Sequence, residues 1–147
     1  MVSEEHCAIL LMDRDDQDAA LITQYLTAVD SNVDVRWEKD CPAVLDFVKA
    51  SFAASISDSY LRPRLIILSI EQLTNEVIEV LEFLKQDADL KKVPLLIISK
   101  SSKNEDIKRS YDLKVNSYLL RPDSDSEFAD ILKEVAEYWL KWNQLPS

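Results

Sequence analysis

Glycine is absent from all 147 residues, where average usage of about 7% would supply around ten. Without it, tight turns and helix ends must place Asn, Asp, Lys or Ser where φ is positive, or avoid that geometry. The same absence excludes the glycine-rich loops that bring backbone against phosphate, because the Walker-type loop and the dinucleotide fingerprint both need positions without a Cβ. Histidine occurs once and cysteine twice. His6 beside Cys7 makes no metal site, since no further His exists and no Cys lies at ligand spacing. Two cysteines are no disulfide framework, and the strand placement derived below sets Cys7 and Cys41 at opposite ends of a sheet, beyond bonding distance. Basic residues are also scarce, 17 against 27 acids for a net charge of -10. A chain so charged is expected to bind neither nucleic acid nor an anionic membrane, and Lys91-Lys92 and Lys108-Arg109 are small clusters flanked by acids. No apolar run approaches the roughly 20 residues that span a bilayer, and residues 1–6 lack the charged and apolar regions of a signal peptide, so a cytoplasmic location is expected.

Hydrophobic residues make up 47% of the chain and charged ones 30%. At this length a domain removes about 68–70% of its unfolded surface from water, enough for a real core. Strand and helix signals alternate along the chain. Residues 8–12 are an apolar strand, and Ala19, Ile22, Leu26 and Val29 follow at helical spacing from about residue 18. Val33, Val35 and Trp37 alternate as a second strand. Pro42 suits the first turn of a second helix opening at Asp40 or Cys41 and carrying Val44, Leu45, Val48 and Phe52 inward. Residues 55–62 read as a polar connection. Residues 65–70 are too uniformly apolar for a half-exposed strand and read as a central parallel one, followed by a third helix through Val77, Leu81 and Leu84.

Pro94 introduces a fourth strand. Ser102-x-x-Glu105 reads as a capping box for a fourth helix with Ile107 and Tyr111 facing inward. Residues 117–120 form a fifth strand, and Ser124-x-x-Glu127 caps a fifth helix with Phe128, Ile131, Leu132, Val135 and Trp139 as its apolar stripe, Trp142 lying one turn further. Alternating βα units with right-handed crossovers give an α/β doubly wound sheet. Three strands run directly into polar residues, Asp13-Arg14-Asp15-Asp16, Ser69 and Ser99, at the carboxyl ends where open α/β sheets bind their ligands.

These strand ends, with Ser117-Tyr118-Leu119-Leu120-Arg121-Pro122 and the preceding Ile107 to Asn116, resemble the receiver domain of response regulators. The similarity is greatest to small single-domain, phytochrome-associated members. It covers almost the whole chain and implies one CheY-like domain over residues 1–147, core about 7–142, with strand order 2-1-3-4-5. In that family two acids after the first strand bind Mg²⁺, an aspartate ending the third strand accepts phosphate, a hydroxyl ends the fourth, and a lysine before proline ends the fifth. There the metal neutralises the transferring phosphoryl group, the carboxylate attacks in line, and hydroxyl and ammonium hold the product oxygens.

Here Asp13 matches the first acid but Arg14 stands at the second, and a guanidinium cannot ligate Mg²⁺. Alternatively, a one-residue shift makes Asp15 or Asp16 the second acid, or Arg14 simply points to solvent. With the substitution taken as real, Asp15, Asp16 and Asp18 read as solvated acids at a helix start, and Arg14 pairs with Asp13. Ser69 occupies the acceptor position. A serine hydroxyl without a base is a weak nucleophile and forms no acyl phosphate. Glu71 is a further candidate pocket acid. Ser99 keeps the hydroxyl, and Arg121 replaces the lysine, with a fork of donors suited to Asp13 or a loop carboxylate.

The resemblance implies a cis Arg121-Pro122 bond and places Tyr118 at the aromatic switch, here expected to be a fixed surface or interface aromatic. Val77 and Lys114 stand where glycine is common in the family. The expected function is therefore a non-enzymatic pseudo-receiver in two-component or phosphorelay signalling, without metal or cofactor. It is expected to act through contact with a protein partner such as a histidine kinase or another regulator. Homodimerisation through the fourth helix, fifth strand and fifth helix is a further expectation, with Tyr118, Tyr138 and Trp142 as switch and interface residues. The alternative is a functional receiver phosphorylated at another residue. A flavin enzyme on the same architecture is disfavoured by the carboxylates at the pocket mouth.

Overall fold

A computed structural model describes residues 7–53 and 63–145, with side chains for 8–50 and 63–145. Five strands and five helices alternate: β1 (Cys7–Met12), α1 (Asp16–Val29), β2 (Val33–Glu38), α2 (Cys41–Ala53), β3 (Leu65–Ile70), α3 (Asn75–Gln86), β4 (Leu95–Ser99), α4 (Asn104–Asp112), β5 (Ser117–Leu120) and α5 (Asp125–Glu137). A π-helical turn, Tyr138–Trp142, extends α5. The strands form one parallel sheet of order β2-β1-β3-β4-β5. The expected Phe52 contact and the polar connection at 55–62 lie outside the described side chains and residues.

Strand alternation divides the core. Ile9, Leu11, Leu65, Ile67, Leu96 and Ile98 face α1 and α5, where Ile22, Leu26, Phe128, Leu132 and Trp139 meet them. Leu10, Met12, Ile66, Leu68, Leu95 and Ile97 face the other way, onto Val44 and Val48 of α2 and Val77, Val80, Leu81 and Leu84 of α3. Burial of both faces is why β1, β3 and β4 are apolar without alternation, and each such Leu or Ile contributes about 1.5–3 kcal/mol by leaving water.

The missing glycines are replaced in two ways. Lys114, after α4, holds φ 71, the only positive φ among the described residues. Elsewhere aspartate closes the turn: Asp15 Oδ1 accepts from the Gln17 and Asp18 amides, Asp30 from Asn32, Asp40 from Ala43, and Asp87 from Asp89 and Leu90. α1 and α3 then end on extended residues, Asp30 and Asp87, rather than left-handed ones.

Three local expectations are corrected. The residue at the N-cap of α4 is Lys103, with no side-chain cap, so Ser102 and Glu105 form no capping box; a different hydroxyl, Ser101, turns back on the helix instead, donating to Asp106. Tyr111 is 47% exposed, because Ser110 takes the inward position on this mostly polar helix. The Arg121-Pro122 bond is trans; the Arg121 amide donates to the Ser99 carbonyl at 2.8 Å, continuing the β4–β5 ladder up to the proline. Ser124 caps α5 as expected, accepting from the Glu127 amide, and Trp139 is buried while Tyr138 and Trp142 are exposed.

Candidate functional site

At the carboxyl ends of β1 and β3 the sheet opens into a cavity of about 490 Å³. Met12, Cys41, Ile70 and Val77 give it an apolar side, and Asp13, Ser69, Glu71, Lys100 and Arg121 a polar one. Alternation explains the placement, since Asp13 follows Leu11 and Ser69 follows Ile67 on the α1/α5 face of the sheet.

Asp13 is buried, 5% exposed. Its Oδ1 accepts from the Asp15 amide at 3.0 Å, and Trp37 donates its indole N–H to the Asp13 carbonyl at 2.8 Å. Oδ2 is enclosed and has no hydrogen-bond partner among the described residues. Burial pushes the carboxyl up to about 6, against the opposing pull of the Asp15 amide and the Ser69 hydroxyl beside it. Among the described residues no cation neutralises it, because each basic side chain at the rim has another acid. Arg14 turns outward to Glu76 at 3.6 Å, which corrects its expected pairing with Asp13, and Lys100 reaches Glu71 at 3.5 Å.

Arg121 is held most firmly. Its Nε and Nη2 donate to the two carboxylate oxygens of Asp18, each at 2.9 Å, and Nη1 donates to the Pro122 carbonyl at 2.7 Å. The guanidinium lies 4.2 Å from the Phe128 ring centre, and Asp125 approaches at 3.4 Å. This planar fork on a carboxylate is geometry that lysine cannot match. Asp18, expected to be solvated, is thus buried and paired; sequence reading missed it because the partner comes from the far end of the chain. Hydrogen bonding to Asp18 raises the already high affinity of Arg121 for its proton.

The acids expected to replace the lost ligand are not assembled. Asp15 caps α1 with its carboxylate turned to the Gln17 and Asp18 amides, which keep it below the usual carboxylate range. Asp16 is bonded to Lys39 at 3.2 Å on the surface. The Glu71 side chain is 83% exposed. Among the described residues no three His, Cys, Asp or Glu side chains are grouped to hold a metal ion. One carboxylate beside a hydroxyl does not suit the Mg²⁺ that this kind of pocket implies, which prefers near-octahedral oxygen ligands. Cys41 stays a neutral thiol, pushed up to about 11 chiefly by burial, and donates toward Met12 sulfur at 3.6 Å.

Ser99 is fully buried one strand away, where its Oγ accepts from the Ser101 amide at 3.0 Å. Tyr118 is partly buried against the α2/α3 side of the core and donates from its hydroxyl to the Ser101 carbonyl at 2.8 Å. It is therefore fixed, but inward rather than as a surface aromatic. The structure brings Asp13, Ser69 and Arg121 to one pocket with Arg14, Asp15 and Glu71 also in its lining, sets Ser99 and Tyr118 on the adjoining strands, and leaves Asp16, Tyr138 and Trp142 outside on the surface.

Comparison with known proteins places this pocket in a wider setting. The chain is 28% identical over 144 residues to the probable methanogenesis regulatory protein FilR2 of Methanothrix harundinacea, covering 98% of this chain and 90% of that one. It is 27% identical over 139 residues to response regulator Rcp1 of Synechocystis, covering 95% and 92%. Among solved structures, the Mn(2+)-bound form of Rcp1 superposes with a TM-score of 0.83 at 26% identity, covering 96% of this chain and 99% of that one. The phosphorylated cyanobacterial phytochrome response regulator RcpA gives 0.83 at 30% identity, covering 97% and 99%. No protein-family model matches the chain.

Proposed function

Because this chain belongs to the family of response regulator receiver domains, we propose that it signals as a pseudo-receiver, through protein contacts that do not depend on phosphorylation. The observation that carries this reading is the set of side chains at the pocket: Ser69 beside Asp13, with Arg121 drawn away onto Asp18. Phosphoryl transfer needs an attacking carboxylate, a counter-ion for the moving charge and a donor on the product oxygens. Ser69 offers a hydroxyl where a carboxylate attacks, Arg14 pairs with Glu76, and each nitrogen of the Arg121 fork already donates within the chain. Such a domain has no chemistry of its own to perform, and a cytoplasmic location fits that role.

Its partners in this reading are a kinase, another regulator or a second copy. The exposed aromatics Tyr111, Tyr138 and Trp142 are the surface groups suited to such contacts. The second reading, phosphorylation at a non-standard residue, draws support from RcpA, a similar protein whose structure is of the phosphorylated form. Here the acids left for it are Asp13, Asp15 and Glu71.

Intact mass after incubation with acetyl phosphate and Mg²⁺ separates the two. The wild type is expected to keep its mass, while a variant carrying Arg14→Asp, Ser69→Asp and Arg121→Lys gains one phosphoryl group. A phosphoryl gain by the wild type overturns the proposal.

A further inference from the structure

Ser101 is a hub between the pocket and the α4/β5 surface. Its amide donates to Ser99 Oγ at 3.0 Å, its carbonyl accepts from Tyr118 at 2.8 Å, and its hydroxyl donates to Asp106 Oδ2 at 2.7 Å while accepting from the Lys103 amide at 3.3 Å. Every polar group of the residue is thus committed, and Ser101 is nearly buried. Asp106, in the first turn of α4, carries the network further: the same Oδ2 also accepts from the Leu73 amide at 3.4 Å, in the loop after β3. A carboxylate at this point is favoured by the helix dipole, and a hydroxyl-to-carboxylate bond of this length is of the charge-assisted kind.

We propose that Asp106 is a positioning residue whose carboxylate clasps the loop after β3 to the loop after β4, fixing Ser101 and through it holding Tyr118 inward. The α4/β5 surface is then presented in one conformation with nothing bound in the pocket. This rests on the reading of the chain as a phosphorylation-independent receiver, and supplies what holds that state. The clasp is built from the chain's own carboxylate and shares no residue with the Arg121–Asp18 pair. Without it, the Tyr118 hydroxyl has no fixed acceptor, water satisfies it about as well outside, and the partial packing of the ring against the core is all that holds it inward.

Fluorine NMR of protein labelled with 3-fluorotyrosine tests this, with the Tyr118 resonance assigned by Tyr118→Phe and Leu73 followed by amide exchange. In Asp106→Ala the Tyr118 resonance is expected to move toward those of exposed Tyr111 and Tyr138, and the Leu73 amide to exchange about tenfold faster. Ser101→Ala moves Tyr118 but leaves Leu73 protected. Asp106→Asn, which retains an acceptor oxygen, restores Leu73 protection in part. An unmoved Tyr118 resonance and unchanged Leu73 exchange in Asp106→Ala overturn the clasp. So does uniform loss of protection across the sheet in both Asp106 variants, which marks a general stabiliser. Wild-type mass recorded on the same samples with acetyl phosphate and Mg²⁺ reads the receiver proposal separately, since a phosphoryl gain refutes that proposal whatever Tyr118 does.

Discussion

Aspartate does two opposed jobs in this chain. At Asp15, Asp30, Asp40 and Asp87 the carboxylate closes a turn by accepting backbone N–H groups, a role for which the short side chain suits a sequence without glycine. Part of the acidic excess is thereby structural. At Asp13 the same group is enclosed with one oxygen unpartnered. Its folded-state pKa of about 6 lies above the ordinary 3.8, so between those values the folded state binds the proton more tightly. Its contribution to stability therefore falls as pH rises from about 4 through about 6. Asp13→Asn, which still offers Oδ1 to the Asp15 amide, is expected to stabilise the protein by about 1–2 kcal/mol near pH 8 and by nothing below about pH 4. Thermal unfolding of both proteins across that range checks it, and a gain independent of pH would refute the assignment.

Between elements, two features invite measurement. The Arg121 fork ties the end of β5 to α1, and because Arg121 and Asp18 are both largely shielded, removing one partner strands the other. A double-mutant cycle with Asp18→Asn and Arg121→Gln is expected to give a coupling of about 1–3 kcal/mol, and Arg121→Lys alone to cost about 1 kcal/mol because a point charge cannot make the paired bonds. A coupling near zero would mean that the pair is decorative. After α4, Lys114 bears the only left-handed backbone among the described residues. Lys114→Gly is expected to raise stability by about 0.5–1 kcal/mol as relief of the Cβ clash outweighs the added freedom of the unfolded chain, read as a higher midpoint in urea.

For the molecule as a whole, periodicity carried the architecture. Apolar runs at 65–70 and 95–98 and stripes such as Phe128, Leu132 and Trp139 depend on burial alone, and burial is written in residue type. The place of Ser69 near the end of the third strand was legible, because the apolar run before it fixes the strand. Partner choice was not legible. Arg121 had several carboxylates in reach, and only the three-dimensional placement of α1 selects Asp18 over Asp13. The fourth helix misled for a related reason: Ser102 and Glu105 have capping spacing, yet the buried hydroxyl of Ser101 engages Asp106 first. Pocket and loop agree in one respect: Arg121, Lys100 and Tyr118 each already have a partner within the chain, in keeping with the proposal that the domain does not respond to phosphate.

The most direct test of that claim is the amide ¹H–¹⁵N spectrum of the wild type before and after acetyl phosphate with Mg²⁺. The account predicts superimposable spectra, including the amides of Ser69, Ser101 and Tyr118. Shifts centred on those residues and spreading into α4 and β5 would show a receiver that still responds to phosphate, and would contradict it.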